Sequence, residues 1–254
     1  MNMNRCWICG GPSETAEHRI KKSDLVERFG KGPYAGEREL FHIKKGRTQR
    51  LQGQDSKLVK YAKNLCGRCN NSLTQPFDFA YEEFISWTMA NQESVLKHRV
   101  IDFEPVFGPI WERKQRDLFK YFAKCFGCRL DEAGRPVPRD VVDLLHKDSF
   151  TTALYVTFQV NEDLLLFPDG QSVGTEPLFV HKSVSTGDEF GFQCGNYYRW
   201  LTMMYWYQHR PLEPIGARWV ADAKHVYLGW YEPLKPDERS RMIARVGSRT
   251  DGAA

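Results

Sequence analysis

The sequence is short of long apolar runs. Stretches such as Leu164-Leu165-Leu166-Phe167 fall far below the ~20 residues a helix needs to span a bilayer, which argues against a membrane anchor. The N-terminus lacks the apolar core of a signal peptide, because Cys6 and charged residues intervene. Neither an internal repeat nor a low-complexity tract occurs, which excludes repeat arrays and compositionally biased tails. These absences lead to the expectation of a cytoplasmic protein, where thiols stay reduced and paired cysteines favour a metal over disulfides.

Strong net charge is also missing, but the small total of +4 hides an uneven distribution. Residues 1–75 carry 15 Lys and Arg against 7 Asp and Glu, a net of +8, and the remainder carries 21 against 25, a net of −4. A local basic excess attracts polyanions by steering and counterion release, although a solvated basic surface is the plainer reading. At 254 residues, with 41% hydrophobic and 13% aromatic content, the chain can bury a real core as one large domain or two ordinary ones.

What the chain does contain is a split cysteine set. Cys6-Trp7-Ile8-Cys9 opens it and Cys66-Gly67-Arg68-Cys69 closes it, with 56 residues between (66 − 9 − 1) and Glu17-His18 inside the interval. Two CxxC knuckles supply four thiolates for one tetrahedral zinc, a closed site that holds a fold and leaves no position open for substrate. The alternative is unliganded core cysteines. A third pair, Cys125-Phe126-Gly127-Cys128, has only the lone Cys194 for company and reads as buried structural cysteines.

Patterning places these motifs on elements. Ser23-Asp24 can cap a short helix through Phe29, Leu40–Ile43 and Leu58–Tyr61 read as short strands, and Lys44–Lys57 as a loop or hairpin. From Phe77, apolar residues at offsets 3, 4, 7, 8 and 12 make one helical face, with Pro76 opening the helix and Ala90 near its end. Further helices are expected over 112–129 and 138–146, followed by strands at Ala153–Val160, Leu164–Phe167, Leu178–Ser183, Phe190–Cys194, Tyr197–Tyr207 and Arg218–Trp230. Pro168-Asp169-Gly170, Thr186-Gly187-Asp188 and Gly195-Asn196 read as turns, and the short connections favour an antiparallel meander. The aromatic stretch Tyr197–Tyr207 could stack bases but fits sheet packing better. The fold class expected is α+β: residues 1–95 as a metal-braced module, 96–235 as helices and a mainly antiparallel sheet, and 236–254 as a flexible tail.

Cys-x-x-Cys-Gly, then Glu17-His18-Arg19-Ile20, then Leu65-Cys66-x-x-Cys69-Asn70-Asn71 together resemble an HNH endonuclease. That family belongs to the ββα-metal, or His-Me finger, nucleases, here of the variety braced by a four-cysteine structural Zn²⁺. The likeness covers residues 5–80, about a third of the chain. It implies that His18 is the general base, that Glu17 and Asn70 hold a catalytic Mg²⁺ or Mn²⁺, and that an Asn shortly before the second knuckle orients the base. The usual place for that Asn holds Tyr61, so Asn64 is the nearest candidate; the insert before Cys66 is also longer than in compact members.

The chemistry agrees with those roles. A neutral His can take a proton from water near neutral pH, and oxygen donors suit a hard divalent ion. Arg19, Lys21, Lys22 and Arg68 are the candidates to grip phosphate beside the cut. The resemblance implies a DNA-cleaving enzyme, in a setting such as restriction or anti-phage defence. A free nuclease endangers its host, so control by a regulatory protein partner or by homo-oligomerisation is expected. The competing reading is a non-catalytic zinc-stabilised module that binds nucleic acid or protein.

Overall fold

A computed structural model describes residues 5–44, 47–147, 151–166, 173–209 and 217–250. The order begins with α1 (Lys22–Phe29), the hairpin β1 (Leu40–Lys44) and β2 (Arg47–Leu51), α2 (Gln75–Ala90) and α3 (Gln92–His98). It continues through β3 (Val100–Asp102), α4 (Phe103–Phe107), α5 (Trp111–Glu132), α6 (Arg139–His146) and β4 (Leu154–Val160). β5 (Val173–Lys182), β6 (Glu189–Tyr198), β7 (Leu201–Gln208), β8 (His225–Trp230) and α7 (Pro236–Thr250) complete it. Among the described residues no helix is long and apolar enough to cross a membrane.

α2 follows its 3.6-residue pattern, with Phe77, Ala80, Tyr81, Phe84, Ile85 and Met89 buried and a Pro in the first turn. α5 is buried all round from Leu118 to Cys128, including both cysteines of the third CxxC pair, because it lies centrally between α2 and the sheet. At Gly127 a Cβ would overlap the Trp7 ring, so this glycine lets the first knuckle dock directly on α5.

The main sheet has six strands in the order β3-β8-β4-β7-β6-β5, with every neighbouring pair antiparallel except β4 and β8. β5-β6-β7 is the expected meander. β4 is buried at every position, since α5 covers one face while Trp206 and Val220 pack by Tyr155 on the other. One apolar core runs from Cys6, Leu65 and Phe77 through α5 to Val156 and Leu228, so the cysteine segment and the sheet share it. A satellite core of Leu25, Tyr34, Leu51 and Val59 holds the insert between the knuckles.

Several sequence expectations change. The expected strand Tyr197–Tyr207 is two strands joined by a tight turn at Arg199-Trp200, with Arg199 at φ 53°. Gly195-Asn196 is no turn but lies inside β6. There a Gly195 Cβ would crowd the Met203 carbonyl, so glycine serves close strand approach. Of Arg218–Trp230 only His225–Trp230 forms a strand; Trp219 makes an isolated antiparallel bridge to Val156, with bonds of 3.0 and 2.9 Å, while its ring packs among Phe103, Phe119 and Phe158. The run at 164–166 belongs to a 3-10 turn, Glu162–Leu166, whose buried Asp163 accepts hydrogen bonds from Leu234 N–H (2.6 Å) and Arg239 Nε (2.6 Å). Phe167 and Pro168-Asp169-Gly170 lie outside the described residues. Those two bonds hold Leu234 and, through Arg239, the first turns of α7, which occupies most of the segment expected as a tail. Ser23-Asp24 forms no side-chain cap; Asp24 is buried instead and accepts from the Tyr81 hydroxyl at 2.8 Å.

Candidate metal centre and the histidine ribbon

The first knuckle is a tight turn: Cys6 N–H donates to the Gly11 carbonyl (2.7 Å) and Gly10 N–H to that of Cys6 (2.7 Å), with Gly10 at φ 75°. At the second, Cys69 N–H points at Cys66 Sγ (3.4 Å). The fold brings the knuckles together, so the sulfurs of Cys6, Cys9, Cys66 and Cys69 lie within 4.8 Å of one another. Cys9 Sγ and Cys66 Sγ are 3.7 Å apart, close to the ~3.8 Å that a tetrahedral zinc with ~2.3 Å bonds requires. Burial raises the Cys6 thiol, while the Cys69 N–H bond pulls Cys66 down to about 7, favouring its thiolate. Four soft donors in this arrangement can bind a structural metal such as zinc.

Between the knuckles the chain runs as one edge of an antiparallel ribbon. Thr15 pairs with Leu65 and His18 with Lys60, through bonds that include Thr15 N–H to the Leu65 carbonyl (2.9 Å), Tyr61 N–H to Glu17 (2.9 Å) and Arg19 N–H to Val59 (2.8 Å). The partner edge then enters the second knuckle and, after it, α2. A metal there staples both ribbon edges to that helix.

Successive side chains of an extended strand face opposite ways, and this sorts the residues of the Glu-His motif. His18 faces the insert. Its Nε2 is closed to solvent and makes no hydrogen bond, and Asp55 Oδ1 stands 3.7 Å away. Burial and the nearby Lys60 charge lower the His18 pKa, against the opposing pull of Glu17 and Asp55, so the ring is neutral at neutral pH. Glu17 and Arg19 face α5. Glu17 is buried, with Oε2 3.2 Å from Nζ of the fully buried Lys124. Lys124 also bonds Asp78 (2.7 Å), and Asp78 takes Lys21 (2.8 Å). Burial opposes the charge on Lys124, but Glu17 and Asp78 outweigh it and raise the ammonium above its ordinary value. Asp78 is held low for the reciprocal reason: burial alone would raise it, and Lys124 and Lys21 prevail. Arg19 pairs with Glu132, donates from Nε to the Lys60 carbonyl (2.9 Å) and lies over the Tyr61 ring.

The other expected residues spread out. Asn70 follows the last cysteine in a π-helical turn, Cys69–Leu73, a rare form often found at functional sites. Its Oδ1 is shielded and accepts no hydrogen bond. Asn64 is buried beneath the knuckles, donates from Nδ2 to the Cys128 carbonyl (3.3 Å) and makes no hydrogen bond to His18. Arg68 is exposed on the second knuckle. Of the lysines, Lys21 is tied to Asp78 and Glu82, while the half-exposed Lys22 bonds Asp55 at 2.7 Å. Among the described residues, no hydrogen bond or ion pair joins the side chains of Glu17, His18 and Asn70.

Three residues that belong to the site lie outside the sequence motif. Lys124 lies 107 positions beyond Glu17 (124 − 17) on a helix that reads as amphipathic core. Asp55 and Lys60 sit in a polar insert; the one hint was that 55 is the only acidic position between 40 and 77. No protein-family model matches the chain, and neither a curated protein nor a solved structure is significantly similar to it.

Proposed function

We propose that this protein is a metal-dependent endonuclease that hydrolyses phosphodiester bonds in DNA, with the ribbon and the helix after the second knuckle serving as a zinc-braced ββα-metal finger. One observation carries the reading: His18 sits on a ribbon stapled by four cysteines, neutral at neutral pH, with an Nε2 that has no hydrogen-bond partner and two lysines beside it. Nε2 accepts a proton from water, the hydroxide forms a bond to phosphorus, and the bond to the 3′ oxygen breaks as that oxygen takes a proton from a solvent water. Lys22 and Lys60 neutralise the phosphate through its non-bridging oxygens. The unpartnered Asn70 Oδ1 suits a hard divalent ion, whereas Glu17 is already neutralised by Lys124 and fits a structural task better. A Mg²⁺ or Mn²⁺ bound beside Asn70 would supply positive charge to the transition state.

The engagement of Glu17 by Lys124 favours a second reading, a zinc-stabilised module that binds nucleic acid without cutting it. Plasmid incubated with the wild type and with His18→Ala, in Mg²⁺, in Mn²⁺ and without divalent ions, separates the two. The nuclease reading expects metal-dependent nicking or linearisation that His18→Ala abolishes while its circular dichroism stays native. Wild type that binds DNA but leaves it uncut in both Mg²⁺ and Mn²⁺ supports the binding module.

A further inference from the structure

The insert delivers a carboxylate into the basic cluster beside His18. Tyr34 N–H donates to the Gln52 carbonyl (3.1 Å) and Ser56 N–H to that of Gly53 (3.1 Å), so residues 53–56 form a tight turn with Asp55 in its third position. Asp55 Oδ2 accepts from Lys22 Nζ at 2.7 Å and Oδ1 from Lys60 Nζ at 3.3 Å, with His18 Nε2 behind Oδ1 at 3.7 Å. Isolated surface ion pairs are common and worth little. Here three groups from three segments, the start of α1 and both ribbon edges, converge on a single carboxylate. The Asp55 side chain is 52% exposed and the imidazole nitrogen behind it is shut off, so the carboxylate sits over His18 like a plug. One ammonium on each of two oxygens is also how a phosphodiester would present its two non-bridging oxygens to Lys22 and Lys60.

We propose that Asp55 is a built-in stand-in for a nucleic-acid phosphate: it fills the Lys22–Lys60–His18 site in the free protein and swings out when a backbone phosphodiester enters. The inference rests on the reading of the cluster around His18 as a nucleic-acid site, and it makes Asp55 a brake on nucleic-acid entry. Asp55 is the exposed residue of that turn, so rotation of its side chain alone frees the site while Gln52 and Gln54 keep the turn bonded to Tyr34 and Gly32.

The test is binding of a fluorescent 20-base-pair duplex by anisotropy, without added divalent ion, over a KCl series, for the wild type, Asp55→Asn and Lys22→Gln. Asp55→Asn is expected to bind about fivefold more tightly at low salt, the effect of removing one like charge a few ångströms from a phosphate in high dielectric. Its log K against log salt should steepen by about 0.9 for each phosphate contact regained. Lys22→Gln should move both quantities the other way. Asp55→Ser, with thermal melts of every variant, guards against an effect of misfolding. Affinity and salt slope unchanged or reduced in both Asp55 variants would overturn the proposal. So would Asp55→Asn that binds like the wild type but cuts more slowly in Mn²⁺, which would make Asp55 a helper of His18. If neither protein cuts while Asp55→Asn binds more tightly, the stand-in holds and only the nuclease reading falls.

Discussion

Replacing Lys124 with Met tests how the ribbon is held to the helical core. The Lys124 ammonium is fully buried and lies 3.2 Å from Glu17 and 2.7 Å from Asp78. Asp78 keeps Lys21 at 2.8 Å, so the loss falls on Glu17, whose side chain is only 8% exposed and has no other ion-pair partner among the described residues. Breaking a buried pair on one side costs roughly 3–5 kcal/mol. For a chain of this size that is a fall in melting temperature on the order of 10 °C. The stranded carboxyl escapes part of the cost by staying protonated, which raises its folded pKa above the unfolded value of about 4.3. A raised acid contributes stability that is present below the unfolded pKa and lost as pH rises through the folded one. Lys124→Met should therefore be closest to wild type near pH 4–5 and furthest from it near pH 8. Adding Glu17→Gln should recover part of the loss at pH 8 and little at pH 4–5. Urea unfolding of the four proteins at both pH values measures this cycle. A single mutant within about 1 kcal/mol of wild type at pH 8, or a double mutant no better than the single, would refute the reasoning.

Two further outcomes rest on other groups of the same fold. Asp24, buried under Tyr81, has its carboxyl raised by desolvation to about 7, so it contributes stability present below about pH 4 and lost as pH rises through 7. Asp24→Asn keeps an acceptor for the Tyr81 hydroxyl. It should remove this loss, on the order of 3–4 kcal/mol, so that its stability relative to wild type rises between pH 4 and 8 in parallel urea titrations. Cys66→Ser should lower zinc, measured by plasma emission, below one per chain and make residues 5–20 and 59–73 the first to exchange amide hydrogens, because metal binding here is coupled to folding. Zinc content equal to wild type would contradict the four-cysteine centre.

The local elements were largely legible. α2, α5 and α6 follow from apolar spacing and proline position, because a helix face needs only near neighbours in sequence to declare itself. Residues 164–166 form a 3-10 turn where a strand was expected, because the buried Asp163 anchors that segment to Arg239, and the expected strand Arg218–Trp230 is cut to an isolated bridge at Trp219 and a strand at His225–Trp230. The turn at Arg199-Trp200 was hidden since glycine marks turns by habit, while Gly195 serves close strand packing here.

By itself the sequence determined the four-cysteine centre, since two CxxC knuckles leave few other uses for their thiols, and the sulfurs do converge. It also determined that Glu17 and His18 adjoin. Only the tertiary structure decided that they do different work. Strand alternation turns one inward and one outward, and the partner each meets comes from elsewhere in the chain: Lys124 from α5 for Glu17, and Asp55 from the insert for His18. Spacing along a chain fixes which residues are neighbours in a motif, but which of them is free to act depends on charges that arrive from distant segments once the core has closed.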